Sequence, residues 1–211
     1  TLTERRPSLP KMEEITKTPL AGIYEVRVGH DVLYTDADGS YLIQGQIIDT
    51  KARKNLTEER ISKLTAIDFG ELPLKDAIVW KSGTGKRKLA VFADPNCGYC
   101  KRFERDLQAV KDVTVYTFLY PVPIGPDSDA KSRNIWCSKD RLKSWQDWML
   151  KGVKPGDAAE KCDDAAIARN VDLARKHRVN GTPALVFEDG TRIPGAMNTA
   201  QIEQQLASVK P

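Results

Sequence analysis

Four cysteines, Cys97, Cys100, Cys137 and Cys162, are the residues whose type and spacing point most directly to chemistry. Cys97 and Cys100 bracket a Gly-Tyr dipeptide, directly after the apolar run 89–92 and at the start of a helical pattern. A helix N-terminus offers unpaired N–H groups and a positive dipole end, which stabilise a thiolate, the nucleophile of disulfide exchange. The pattern therefore predicts a redox-active pair in which Cys97 attacks and Cys100, one turn inside the helix, resolves.

A zinc site and a chance Cys-x-x-Cys are the alternatives to a redox pair. Zinc would need two further ligands, and the other two cysteines do not form a second Cys-x-x-Cys motif. The two histidines, His30 and His177, lie in other parts of the predicted fold. The agreement of strand, motif and helix favours the redox pair, and we expect no metal and no other cofactor.

Cys137 and Cys162 lie apart from the motif, in a stretch predicted to be helical. A disulfide between them would close a loop and stabilise the folded state by about 3.5 kcal/mol in the chain-entropy model, which favours a structural role for the bond. Two buried free thiols are the alternative. A structural disulfide in turn indicates an oxidising location outside the cytoplasm.

Composition and charge say little about partners. The chain of 211 residues has 33 Lys and Arg against 29 Asp and Glu, a net charge of +4. These charges are spread too evenly to indicate a nucleic-acid surface, and no apolar run approaches the ~20 residues of a membrane span. The chain begins at Thr1 without an initiator Met or an apolar leader, so we expect that a signal segment has been removed or trimmed.

The first 55 residues are predicted to form a small antiparallel meander. A proline-containing entry is expected to contain one helical turn around residues 12–16. Turn residues then separate three β-rich runs, at 23–28, 32–34 and 41–48. A meander of this size buries too little to be stable alone, so we expect it to pair with a second copy of itself.

A helix is predicted to follow the meander, because Glu58 stands three residues after Asn55, as in a capping box, and apolar residues follow at helical spacing. We interpret residues 56–77 as a linker helix between two domains, the first of which is residues 1–55.

From about residue 78, strands and helices alternate. The predicted strands are 89–92, 113–119, 184–187 and 191–193, and helices are predicted from the Cys97 motif, at 129–137, 141–150 and 165–178, and at 199–209. The order β-α-β, helical insertion, β-β-α is that of thioredoxin. The predicted fold class is therefore α/β (α+β overall), with a thioredoxin-fold domain over residues 78–211 and an insertion over about 128–178.

Some residues around the motif have a second interpretation. Trp145, Trp148 and Met149 have the spacing of one helix face and are predicted to be core rather than a substrate surface. Tyr99, between two cysteines at an exposed turn, is predicted to pack on substrate. Pro183 precedes the strand 184–187, where a missing N–H is tolerated, and the sequence alone makes a cis bond a minority outcome.

At these residues the sequence resembles the DsbC/DsbG family of periplasmic protein disulfide isomerases. The resemblance rests on matching blocks at 92–100, 136–140, Cys162 and 181–184. It covers about residues 12–209 and is looser in the first 75. Gly98 and Tyr99 are the dipeptide of the DsbC branch, whereas the DsbG branch has Pro-Tyr.

The resemblance implies a V-shaped homodimer that pairs through residues 1–55 and holds misfolded, disulfide-containing proteins in its cleft. It implies that Cys97 attacks wrong disulfides, that Cys100 releases trapped mixed disulfides, and that Gly98, Tyr99, Thr182 and a cis Pro183 contact substrate. Cys137–Cys162 becomes the family's structural disulfide. A membrane thiol reductase of the DsbD type is the implied electron donor, the periplasm the implied location, and chaperone activity an implied second property.

Two positions depart from what these families show. Lys101 stands where the DsbC branch commonly has His, which predicts a stabilised Cys97 thiolate and a more oxidising pair. Val91 stands six residues before Cys97, where thioredoxins keep a buried Asp, so the sequence names no proton acceptor for Cys100. A monomeric thiol oxidant or reductase on the same fold, or a holdase chaperone, are the competing functions.

Overall fold

The computed structural model describes residues 2–122 and 127–209, and its contacts divide the chain into two compact units, Thr1–Ala66 and Ile67–Pro211. The first unit contains α1 (Leu2–Arg5), β1 (Glu14–Lys17), β2 (Ile23–Val28), β3 (Asp31–Asp36), β4 (Leu42–Ile43), β5 (Ile48–Asp49), β6 (Lys54–Asn55) and α2 (Leu56–Thr65). Its main sheet is antiparallel in the order β1-β2-β3-β4, and β5 and β6 form a separate ribbon. The predicted meander is therefore present, with one strand more than the sequence indicates.

The helical turn expected around residues 12–16 is wrong, because β1 occupies this segment. Ile15 pairs with Val26 in the antiparallel register, and Glu14 Oε2 accepts a hydrogen bond from Arg27 Nε at 3.1 Å. Cross-strand pairing of this kind is a tertiary contact, and it overrides a weak local helical tendency. The run 41–48 also divides, since β4 pairs with β3 and β5 pairs with β6.

Helix α2 belongs to the first unit. Asn55 caps it by accepting a hydrogen bond from Glu58 N at 3.1 Å. The buried Thr57 hydroxyl bonds to the Tyr34 hydroxyl, and Arg60 Nε donates to Glu25 at 2.7 Å. The polar contacts of α2 thus fix its position on the sheet of its own unit.

Residues 56–77, interpreted from the sequence as a linker helix, divide between the two units. Helix α2 and Ala66 belong to the first unit. Residues 67–77 belong to the second unit, where Ile67, Phe69 and Leu72 are buried and two short 3-10 turns cover Phe69–Glu71 and Leu74–Asp76. The apolar side chains of this segment explain why it packs into the core of the second unit.

The second unit has a five-stranded sheet in the order β11-β10-β8-β9-β7, with helices on both faces. Among its described strands, β8 and β9 are the only neighbours that run parallel to each other. Its elements are β7 (Ile78–Ser82), β8 (Arg87–Ala93), α3 (Gly98–Leu107), β9 (Val113–Leu119), α4 (Ser128–Trp136), α5 (Arg141–Lys151), α6 (Ala165–Lys176), β10 (Ala184–Phe187), β11 (Arg192–Pro194) and α7 (Thr199–Ser208).

Strand β8 is buried on both faces, as its apolar run predicts. Leu89 and Val91 contribute to one core cluster, whereas Ala90 and Phe92 contribute to the other. Because both faces of this central strand are packed against core side chains, the position of its C-terminal end is fixed by that packing. The turn that follows carries the cysteine motif, so the two clusters together position the site.

Among the described residues, no helix combines the length and the apolar character that crossing a membrane would require.

Candidate active site

Cys97 occupies the N-cap of α3, between the end of β8 and the first helical turn. Its backbone is extended, with φ −71° and ψ 117°, and its N–H donates to the Asp94 carbonyl at 3.2 Å. Cys97 Sγ accepts a hydrogen bond from Cys100 N at 3.3 Å. The sulfur therefore lies where the unpaired N–H groups and the dipole of α3 stabilise negative charge.

A cis peptide bond between Thr182 and Pro183 brings a second backbone segment to Cys97. The Thr182 carbonyl lies 3.2 Å from Cys97 Sγ and accepts a hydrogen bond from Cys97 when this thiol is protonated, while Gly195 N donates to the Pro183 carbonyl at 2.8 Å. The Thr182 hydroxyl oxygen is buried and has no hydrogen-bond partner within the described part of the chain.

The two cysteine sulfurs differ in ionisation. Both residues are free thiols, Cys97 being 3% and Cys100 1% exposed. Hydrogen bonding with the Cys100 side chain, helped by the N–H groups of Cys100 and Tyr99 and opposed by burial, lowers the pKa of Cys97 to about 6. Burial first, and then the neighbouring Cys97, raise the pKa of Cys100 far above the ordinary thiol value. At neutral pH the site therefore presents one thiolate and one protonated thiol.

Asp94 holds the turn before the cysteine motif. This fully buried carboxylate accepts hydrogen bonds from Asn96 N at 2.6 Å, Val122 N at 2.8 Å and the Ser128 hydroxyl at 3.2 Å. It links the turn to the chain segments on either side of residues 123–126. No role is predicted for Asp94 from the sequence, although an acidic residue directly after a doubly buried strand is a usable signal.

Lys101 makes a cation–π contact with an aromatic ring. Its Nζ lies 4.0 Å from the ring centroid of Trp148, and Lys131 Nζ lies 4.3 Å from the same centroid. The indole N–H of Trp148 donates to the Pro95 carbonyl at 2.6 Å. The Lys101 charge is thus fixed by a cation–π contact beside the motif. Trp145, Trp148 and Met149 are all buried, which confirms that they are core.

Glu104 is a buried carboxyl one helical turn beyond Cys100. It is 4% exposed, and its Oε1 accepts a hydrogen bond from Trp145 Nε1 at 2.8 Å. Burial raises the pKa of Glu104 to about 7, with the Trp145 bond acting in the opposite direction. Val91, at the position where thioredoxins keep a buried Asp, is a core residue. The buried carboxyl of Glu104 comes instead from α3. Its four-residue spacing from Cys100 is a sequence signal that the helical pattern alone does not make conspicuous.

A cleft of about 770 Å³ opens beside the cysteine pair. Its described lining residues are Cys97, Gly98, Tyr99, Arg102, Arg105, Val122, Asn180, Gly181 and Thr182. Tyr99 is 67% exposed. The structure therefore brings Gly98, Tyr99 and Thr182 together around Cys97, and it adds Arg102 and Arg105, for which the sequence predicts no role.

The other two cysteines form a disulfide. Cys137 and Cys162 are bonded, with their Cα atoms 5.8 Å apart. Cys137 follows α4 directly, and Cys162 precedes α6, so the bond joins two parts of the helical insertion. Within residues 2–122 and 127–209, no three His, Cys, Asp or Glu side chains are grouped as ligands for a metal ion.

An ionised Cys97 beside a protonated Cys100, on a helix that follows a central strand and next to a cis proline, is built for thiol–disulfide exchange. The fold and the site together define a thioredoxin-fold thiol–disulfide oxidoreductase.

Comparison with known proteins gives the family. Residues 74–210 match the thioredoxin-like domain, and residues 1–58 match the N-terminal domain of disulfide bond isomerase proteins. The chain belongs to the DsbC family of thiol:disulfide interchange proteins, as the resemblance predicted. It is accordingly a thiol–disulfide oxidoreductase of the isomerase type.

Individual relatives agree with this assignment. A probable thiol:disulfide interchange protein DsbC of Bordetella parapertussis is 44% identical over 91% of this chain and 67% of that protein. DsbC of Escherichia coli K12 is 33% identical over 93% of this chain and 81% of that protein. A crystal structure of a disulfide interchange protein from Neisseria gonorrhoeae is 40% identical, with a TM-score of 0.61, over 64% of this chain and 96% of that one.

Proposed function

We propose that this chain acts in the periplasm as a homodimeric isomerase that rearranges non-native disulfides in secreted proteins, here called clients, and also chaperones them. The observation that carries the proposal is the placement of the pair: Cys97 is the N-cap of α3, with its Sγ 3.3 Å from Cys100 N, and Cys100 is buried in the first turn. The pKa of Cys97 is accordingly lowered and that of Cys100 raised. A thiolate at Cys97 attacks at neutral pH, whereas a Cys100 that holds its proton is slow to displace the client. The mixed disulfide then lasts long enough for the client to rearrange.

The proposed reaction begins when the Cys97 thiolate attacks one sulfur of a client disulfide. A Cys97–client bond forms, the client disulfide breaks, and the other client sulfur leaves as a thiolate. That thiolate attacks a further client disulfide, and the thiolate released in turn attacks the mixed disulfide and expels Cys97. No net oxidation occurs. When the client fails to rearrange, Cys100 loses its proton and attacks Cys97, which releases a reduced client and oxidises the pair.

Client contact is assigned to the residues around Cys97. Gly98 has no side chain and leaves space beside the sulfur, since a Cβ built on it meets nothing within 4 Å. Tyr99 offers an exposed ring, and Thr182 lines the cleft beside the sulfur. Pro183 in its cis form directs the Thr182 carbonyl at Cys97.

Dimerisation is proposed through residues 1–55. The described part of the first unit buries only three apolar side chains of any size, Val26, Val32 and Tyr34. Tyr41 is 72% and Ile43 44% exposed, and Ile43 lies on the edge strand β4. An exposed apolar edge strand on so small a core is stabilised when a second copy covers it.

The proposed location and electron donor follow from the cysteines. A structural disulfide between Cys137 and Cys162 is expected in an oxidising compartment, and the family resemblance names the periplasm. An oxidised Cys97–Cys100 pair cannot start isomerisation, so a reductant must restore it. A DsbD-type membrane thiol reductase is the donor that the family suggests.

Refolding of scrambled ribonuclease by the reduced protein tests the proposal. We expect the unaltered chain to restore activity, and Tyr41→Lys/Ile43→Lys to be monomeric and at least several-fold slower. Val153→Lys, which changes an exposed apolar residue of the second unit, is the matched control. Equal recovery by monomer and dimer would favour a simple oxidant or reductase. Full suppression of aggregation by Cys97→Ala, with no loss of recovery, would favour a holdase.

A further inference from the structure

One wall of the cleft beside Cys97 is basic. Gly98, Arg102 and Arg105 are spaced by four and three residues, so they follow one face of α3 away from the attacking sulfur. Val122, Asn180 and Gly181 lie among the other lining residues, and none of the described lining residues is acidic.

The charges on this wall are only weakly compensated by the described part of the protein. Within residues 2–122 and 127–209, the Arg105 side chain has no ion pair or hydrogen bond, and Arg102 has one contact, 4.0 Å from Asp106. The Arg102 side chain is 67% exposed. Other arginines of the chain are paired with carboxylates at 2.6–2.8 Å, namely Arg60, Arg87, Arg133 and Arg169. Two guanidinium groups are thus left available for an external anion.

We propose that Arg102 and Arg105 bind a carboxylate side chain of the client, so that the site prefers cysteines with an Asp or Glu nearby in sequence. This inference rests on the proposed function, because it names a class of client for the same site.

The spacing along α3 gives the position of that acidic residue. At a rise of about 1.5 Å per residue, Arg102 and Arg105 lie about 6 and 10 Å beyond Gly98 along the axis. An extended client segment advances about 3.3 Å per residue. A carboxylate two or three residues from the attacked cysteine therefore reaches the pair, while an aliphatic stem packs against Val122.

A second cleft supports an extended client. It has a volume of about 260 Å³ and shares Tyr99, Arg102 and Thr182 with the larger one, continuing to Ala196 and Met197. The two clefts meet at the Tyr99 ring and Thr182, beside Cys97. A client that crosses the sulfur thus meets Arg102 in both clefts, Arg105 in the larger one, and Ala196 and Met197 in the smaller one.

The test uses disulfide-linked dimers of a short peptide, so that attack on either sulfur is equivalent. Three peptides carry Glu, Gln or Lys two residues after the cysteine, and three carry them two residues before it. We measure the second-order rate of reduction by the reduced full chain, at low and at high salt. For exposed ion pairs we expect the Glu peptide of one set to react about 1.5- to 5-fold faster than its Gln counterpart at low salt. The Lys peptide should be slower than both.

Arg105→Gln should bring the ratio of the Glu and Gln rates close to one. Arg175→Gln, which removes the same charge from an exposed position on α6, should leave the ratio unchanged. Equal Glu and Gln rates in the unaltered chain, or equal effects of the two substitutions, would overturn the proposal.

Two readouts distinguish client recognition from an effect on the thiolate and from a failure of the proposed function. If the arginines acted only on the Cys97 thiolate, Arg105→Gln would slow alkylation by neutral iodoacetamide and would slow all peptides by the same factor, which also overturns client recognition. If Cys97 carried out no thiol–disulfide exchange, the unaltered chain would reduce none of the peptides. If only the isomerase function failed, the peptides would still be reduced, and the failure would appear as equal ribonuclease recovery by monomer and dimer.

Discussion

Glu104 gives a sharp test of how this structure depends on pH. Its carboxyl is buried beneath α3, and its pKa is raised from 4.5 to about 7 by burial. Because the folded state binds this proton more tightly than the unfolded state, the contribution of Glu104 to stability is fully present below pH 4.5 and is lost as the pH rises through 7. A difference of about 2.5 pKa units corresponds to a cost of about 3 kcal/mol above pH 7.

Glu104→Gln removes the ionisation and keeps an oxygen that can accept the Trp145 hydrogen bond. We therefore expect the substitution to raise the free energy of unfolding by about 3 kcal/mol more at pH 8 than at pH 4. The amide NH2 adds a cost that does not depend on pH, so the difference between the two pH values is the quantity to compare. Glu160→Gln, at an exposed position, is the matched control.

The assay is urea unfolding followed by tryptophan fluorescence. All four tryptophans, at 80, 136, 145 and 148, lie in the second unit, so the signal reports that unit alone. The catalytic pair is kept reduced and the structural disulfide intact, which thiol counting verifies. An equal effect of Glu104→Gln at the two pH values, or a larger benefit at pH 4, would refute the assignment of a raised pKa.

Three further predictions concern the thiol, the disulfide and a buried ion pair. The rate of iodoacetamide alkylation of Cys97 should be half-maximal near pH 6, and a midpoint near 9 would contradict a stabilised thiolate. Replacing both Cys137 and Cys162 with Ala should lower the free energy of unfolding of the second unit by about 3.5 kcal/mol, measured by the same fluorescence assay. Asp76 is buried and accepts two hydrogen bonds from Arg169 at 2.7 Å, which lower its pKa below 3.8. Asp76→Asn should therefore cost about 2 kcal/mol at pH 7 and less as the pH falls below 3.8, because the unfolded state then gains a proton that the native carboxylate, with its lowered pKa, does not yet take up. A cost that stays constant down to pH 3 would contradict the ion pair.

The elements that the sequence predicts well have strong local signals. Strands 113–119 and 184–187 have the predicted bounds, and the helix that begins at Ala165 starts at the predicted residue. Apolar runs and capping residues act over a few neighbouring positions, so they can be read without knowing the fold. Strand β7 is not predicted from the sequence, since its alternating burial depends on pairing with β9 as an edge strand.

The features of the site likewise fall into two groups, those with a local sequence signal and those set by tertiary contacts. A Cys-x-x-Cys motif after an apolar run is local, and the structure has its pair at the start of a helix. The burial of Asp94 and Glu104 depends on residues far away in sequence, among them Ser128 and Trp145. The cis bond before Pro183 is likewise set by its surroundings, because sequence alone favours trans. The burial of these two acidic residues and the cis bond therefore could not be predicted from local sequence, because tertiary contacts determine them.

The Cys137–Cys162 bond makes this protein a product of the chemistry that it serves. In the proposed function, an oxidant forms the Cys137–Cys162 bond, whereas a separate reductant keeps Cys97 and Cys100 as thiols. The maturing molecule thus exchanges electrons with two systems of opposite direction. Under the proposed function, the amount of active protein therefore depends on the oxidising and the reducing system remaining separate.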